Sequence, residues 1–211
     1  MSNNKCVKKI NCEESLLIVI DMQEKIVKAM HGKLELINTV EKLITGCRLL
    51  EIPLIFTQQY TKGLGETMPV LREVATTVVD SSVKNITTAS ENPIQTQEPE
   101  KFTFVEKHSF SIVGEPDFVR EMKRYDVKDI IVCGIEAHVC VQQSVLDLLD
   151  EGYNVFVAVD GCSSRFEQDN DWAMARMEAS GAVMTTTESI LFELLGDAKN
   201  PGFKEISLLV K

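Results

Sequence analysis

An acid, an amine and a thiol stand at the ends of separate apolar runs in this 211-residue chain: Asp21 after Leu16–Ile20, Lys107 after Phe102–Val105, and Cys140 shortly after Ile130–Cys133. Together these residue types suit nucleophilic acyl chemistry. A thiol needs a base before it attacks, and Asp21 can take that proton and later return it to a leaving group. Lys107 can hold Asp21 ionised, orient it, and add positive potential that lowers the thiol pKa. After Gly134 a short bend leads into a helical pattern at Val141, Val145, Leu148 and Leu149, which places Cys140 in a first helical turn. Unpaired N–H groups and the helix dipole there favour thiolate. Backbone N–H groups in the same bend can form an oxyanion hole.

These residues converge only if the runs are strands of one sheet. Leu16–Ile20, Pro53–Thr57, Phe102–Val105, Ile130–Cys133, Asn154–Val159 and Val183–Thr187 are short and rich in β-branched residues, as expected of strands buried on both faces. Helical spacing intervenes over 34–50, after Pro116 through Tyr125, from Cys140 to a stop at Gly152, over Asp169–Ser180, and from a Ser189 cap through Leu195. The span Val70–Val79 suggests a short helix, 80–100 is polar and turn-rich, and Phe203–Val210 adds a final turn or two. Alternating strands and helices predict an α/β fold, three layers with a six-stranded parallel sheet in the middle. Ligands bind beyond the carboxyl ends of such strands. That rim holds Asp21, Gln58, Gln59, Lys107, Cys140 and Asp160, the last read as a carboxylate bonding backbone N–H groups.

The length fits a single domain over 14–211 preceded by a loosely held segment, 1–13. A net charge of −10 and the absence of a basic, aromatic-interleaved stretch argue against nucleic acid as partner. No apolar run reaches the ~20 residues of a membrane span. The N-terminal residues lack a signal or transit character, so a cytoplasmic location is expected, with a mitochondrial one not signposted. Six cysteines at 6, 12, 47, 133, 140 and 162, with no C-x-x-C spacing, read as free thiols.

Leu-Leu-Ile-Val-Ile-Asp-Met-Gln (16–23), Glu-Lys-His-Ser-Phe (106–110) and Cys-Gly-Ile-Glu-Ala-His-Val-Cys-Val (133–141) resemble the isochorismatase-like cysteine hydrolases. Further stretches at 59–65, 158–165 and 196–206 resemble the isochorismatase-domain-containing proteins of eukaryotes. The resemblance spans nearly the whole chain. It implies the six-stranded Rossmann-like sheet, an Asp21–Lys107–Cys140 triad, a cis peptide between Ile135 and Glu136, an oxyanion hole from the amides of Glu136 and Cys140, and a homo-oligomer. Zinc-binding relatives, the nicotinamidases, carry Asp-x-His-x-His after the second strand. Here Gln58, Gln59 and Tyr60 stand there, so no metal or other cofactor is expected. Relatives that hydrolyse a vinyl ether lack the cysteine, and its presence points to a small amide or related acyl substrate.

Gln58, Gln59, Tyr60, Phe110 and His138 are the candidate substrate contacts, with His138 lining the pocket rather than pairing with Cys140. Glu136 is expected to offer its amide while its side chain faces solvent or a neighbouring subunit. Trp172 reads as helix packing or a subunit contact. Two rival functions are RNA cleavage, after relatives called mitochondrial-associated ribonucleases, and a non-catalytic interaction role.

Overall fold

The structure is a computed structural model that describes residues 8–76 and 102–211. Cys6 and the polar 80–100 stretch lie outside the described residues. The chain runs through β1 (Ser15–Ile20), α1 (Glu24–Val27), α2 (Lys33–Leu49), β2 (Leu54–Gln59), α3 (Thr61–Leu64), α4 (Pro69–Thr76), β3 (Phe102–Lys107) and α5 (Pro116–Met122). It continues with β4 (Asp129–Ile135), a π-turn (Ala137–Val141), α6 (Gln142–Asp150), β5 (Asn154–Ser163), α7 (Glu167–Ala179), β6 (Val183–Thr185), α8 (Thr187–Leu195) and α9 (Phe203–Leu209).

The six strands form one sheet in the order β3-β2-β1-β4-β5-β6, and every neighbouring pair is parallel. Alternate side chains serve its two faces. Leu17, Val19, Phe56 and Ile131 pack with α2 and α8, whereas Leu16, Ile18, Ile55 and Val132 pack with α5, α6 and α7. Because both faces are covered, β1 reads as an unbroken apolar run and all six of its residues are buried. The chain order reverses between β1 and β4, which are paired from Ser15↔Asp129 to Ile20↔Gly134. Such a switch point splays the following loops apart and opens a crevice. Asp21 and Cys140 follow these two strands.

Several boundaries differ from the sequence expectation. β4 does not stop at Gly134 but continues to Ile135, because Gly134, at φ 120°, lies against the Ile20 carbonyl where a Cβ has no room. β5 runs on to Ser163 through a register shift against β4. The helix after β6 is capped by Thr186, whose hydroxyl accepts from the Ser189 N–H, so Ser189 lies inside the first turn instead of preceding it. Asp160 accepts from the Thr187 N–H and hydroxyl at 2.8 and 3.1 Å, adding negative charge at that helix start. Within the segment 1–13, expected to be loosely held, Ile10 is buried and the Asn11 N–H donates to Asp129 at 2.7 Å. The five described cysteines are free. No described helix is long and apolar enough to cross a membrane.

Candidate active site

Asp21 follows β1 with a positive φ of 50°, a conformation that short polar side chains tolerate better than most. Its N–H donates to the Thr57 carbonyl and its own carbonyl accepts from the Gln23 N–H at 2.6 Å. The carboxylate is 1% exposed and engaged at both oxygens. Oδ1 accepts from the Thr57 hydroxyl at 2.8 Å, and Oδ2 is ion-paired to Lys107 Nζ at 2.8 Å.

Lys107 ends the edge strand β3, two strands from β1, and its side chain crosses the end of β2 to reach Asp21. It is wholly buried. A buried ammonium must satisfy its donors. Besides Asp21, Nζ meets Gln59 Oε1 at 2.7 Å and the carbonyls of Ser109 and Phe110 at 3.1 Å each. Thr57 and Gln59, two residues apart on β2, share the face on which Asp21 and Lys107 meet.

Cys140 lies in the π-turn between β4 and α6, closed by the Val141 N–H donating to the Glu136 carbonyl at 3.2 Å. The α-helix proper begins at Gln142, later than the sequence suggested. The Ile135–Glu136 peptide is cis, as the resemblance implies. Cys140 is 7% exposed, so its thiol is poorly solvated. Burial first, then the Asp21 charge, pushes the thiol up to about 12, against the opposing pull of Lys107. This corrects the expectation of a favoured thiolate. Burial thus weighs against a resting thiolate, and the thiol lies beside the Asp21–Lys107 ion pair.

The remaining candidates divide. Gln59, Tyr60 and Phe110 border Lys107: Gln59 through its amide oxygen, Phe110 through its carbonyl, and Tyr60 through its N–H, which donates to the Lys107 carbonyl at 3.1 Å. The rings of Tyr60 and Phe110 are exposed, and Tyr60 meets His108 edge-on with centroids 6.1 Å apart. Gln58 does not join them. Strand alternation turns it to the opposite face, where Nε2 donates to Thr67 Oγ1 at 3.0 Å. His138 is also drawn aside, its Nδ1 lying 2.9 Å from Ser164 Oγ and Nε2 4.0 Å from Asp169. The Glu136 carboxylate accepts from the Arg165 N–H and Nε at 3.1 and 3.0 Å instead of facing solvent.

Two residues that matter to this geometry escaped the sequence reading. Thr57 is the hydroxyl on Asp21. Gln23, fully buried, accepts from the Gln59 N–H at 2.8 Å and donates to the Gln59 carbonyl at 3.0 Å and to Gly65, splinting the β2 end. Parity could have found Thr57, since it shares a face with Gln59.

Comparison with known proteins places this chain among relatives. Residues 15–189 match the isochorismatase domain. The isochorismatase domain-containing protein 2 of Xenopus laevis is 36% identical over 211 residues, covering 100% of this chain and 90% of the relative. The human protein of the same name is 36% identical over 198 residues, 93% of this chain and 83% of its own. Among solved structures, the MAR1 ribonuclease from Caenorhabditis elegans superposes with a TM-score of 0.79 at 37% identity, covering 96% of this chain and 92% of the other.

Proposed function

This chain belongs to the isochorismatase family, and on that premise we propose that it is a cysteine hydrolase cleaving small amide-type or related acyl substrates through a thioester on Cys140. The observation that carries the reading is the buried Asp21–Lys107 ion pair set against the Cys140 thiol at the β1/β4 switch point.

The proposed cycle follows from the proton inventory. As sulfur attacks the substrate carbonyl carbon, the Cys140 proton passes to Asp21. The N–H groups of Glu136 and Cys140 hold the oxyanion of the tetrahedral intermediate. Collapse breaks the carbon–leaving-group bond, and Asp21 returns its proton to the departing amine. Water, deprotonated by Asp21, then attacks the thioester, and the sulfur leaves with that proton, restoring the thiol. Lys107 remains cationic throughout. It stabilises whichever neighbour is negative, carboxylate or thiolate, so the transfer never leaves a buried anion alone.

Gln59, Tyr60 and Phe110 are proposed to face the substrate. β2 closes on two side-chain amides and a phenol, Gln58 to Tyr60, a set ill suited to a divalent metal. The exposed rings of Phe166 and Trp172 are consistent with a homo-oligomer. A second reading, RNA cleavage, is favoured by the name of the Caenorhabditis elegans structure and opposed by the net charge of −10.

Release of ammonia or amine from a panel of small aliphatic and aromatic amides tests the reading. Turnover of at least one is expected, abolished in Cys140→Ala and unchanged by dipicolinate. A rate that survives Cys140→Ala, or that the chelator removes, overturns it. Cleavage of labelled RNA by the same preparation, lost in Cys140→Ala, decides for the second reading.

A further inference from the structure

Resting on the reading of Asp21 as the proton carrier, we infer that Thr57 is a positioning residue that fixes the plane of the Asp21 carboxylate and sets its basicity. Asp21 lies just past the end of β1 with a positive φ of 50°. A carboxylate can rotate about its last bond, which would carry Oδ2 away from Lys107. Thr57 prevents this from β2. Its hydroxyl, fully buried, donates to Oδ1 at 2.8 Å while Lys107 holds Oδ2 at 2.8 Å from β3. The backbone locks the same pair, since the Asp21 N–H donates to the Thr57 carbonyl at 3.2 Å. Two clamps on one carboxylate leave it a single orientation.

The clamp has an electrostatic consequence as well. A hydroxyl bonded to an ionised carboxylate stabilises the charged form and lowers its basicity. Charged and titratable groups set against Asp21 include Lys107 from β3 and Cys140 from the π-turn. β2 contributes the uncharged Thr57 and Gln59, which act on the acid and on the amine respectively. β2 is thus the frame that holds the proton carrier and its counter-ion in register. Thr57 is the member whose removal touches Asp21 and not Lys107.

The test follows the pH dependence of Cys140 alkylation by iodoacetamide in the full-length chain, read by peptide mass. The low-pH limb reports the pH at which the coupled Asp21–Cys140 pair takes up a further proton and the base is lost. Thr57→Val keeps shape and volume but removes the donor, and that limb is expected to move up by about one pH unit, the effect of one hydrogen bond to a charged group. Thr57→Ser restores the hydroxyl and is expected to return the limb to its wild-type position. Thr57→Ala gives the same readout should the valine variant fail to fold. A limb that stays put in the hydroxyl-free variants, whatever their Tm, overturns the inference and leaves Thr57 as packing alone. If wild-type Cys140 itself is not alkylated, the underlying hydrolase reading has failed instead.

Discussion

Lys107→Met is expected to lower stability by about 3–5 kcal/mol and to slow acylation of Cys140 by at least about a hundredfold. Both effects come from one atom. Lys107 Nζ is the counter-charge of an Asp21 carboxylate that is itself 1% exposed, and removing it leaves an anion in the interior without that counter-charge. The nearly isosteric methionine avoids a cavity, so the loss isolates charge and hydrogen bonding. At this chain length the stability change corresponds to a fall in Tm of about 10 °C. Thermal unfolding checks the first effect and quenched-flow labelling the second. The exposed Lys128–Glu14 pair, at 2.6 Å, is the control: it is closer than Lys107–Asp21, yet solvent screens it, so Lys128→Ala is expected to leave Tm nearly unchanged. A Tm for Lys107→Met equal to that of the control contradicts the account.

Asp21→Asn is expected to separate two properties that usually fall together. The substitution removes the Asp21 charge, the second cause of the raised Cys140 pKa, and leaves Lys107 to pull in the other direction. With the anion gone, thiolate is favoured, and the ionisation midpoint moves down from about 12. Turnover moves the opposite way, because asparagine neither accepts the thiol proton nor returns it to the leaving group, and a loss of about 10²–10⁴-fold is expected. A thiol that ionises more readily in an enzyme that no longer turns over identifies Asp21 as a proton carrier. If the midpoint rises in Asp21→Asn, the carboxylate was not what suppressed ionisation, and the mechanism needs another base.

The fold was legible because both faces of the sheet are covered. Leu16–Ile20 has no polar interruption, since each of these side chains is fully buried, and the run must end where a charge appears, at Asp21. Lys107 ends a half-buried edge strand, beyond Glu106, and only its amine beside the Phe102–Val105 run singled it out. What the sequence withheld depends on direction and depth. Gln58 and Gln59 are chemically alike, and only strand parity sends one to Thr67 and the other to Lys107. Gly134 looked like a stop because glycine often ends a strand, while here it continues one past the Ile20 carbonyl. Helices of four residues such as Glu24–Val27 and Thr61–Leu64 are too short to show a period. The thiol's ionisation is hidden for a different reason. Helix termini and a neighbouring lysine both lower its pKa, and neither reveals that burial outweighs them.

In the proposed mechanism a protonated thiol makes proton transfer to Asp21 the step on which reactivity depends. The relation between Cys140 and the acyl group is tested most directly by acid-quenched intact-mass analysis during turnover of an amide or of p-nitrophenyl acetate. The account predicts a transient adduct equal to the acyl mass, mapped to Cys140, discharged by hydroxylamine and missing in Cys140→Ala. Turnover with no such adduct in the wild type, or an adduct that persists unchanged in Cys140→Ala, contradicts it.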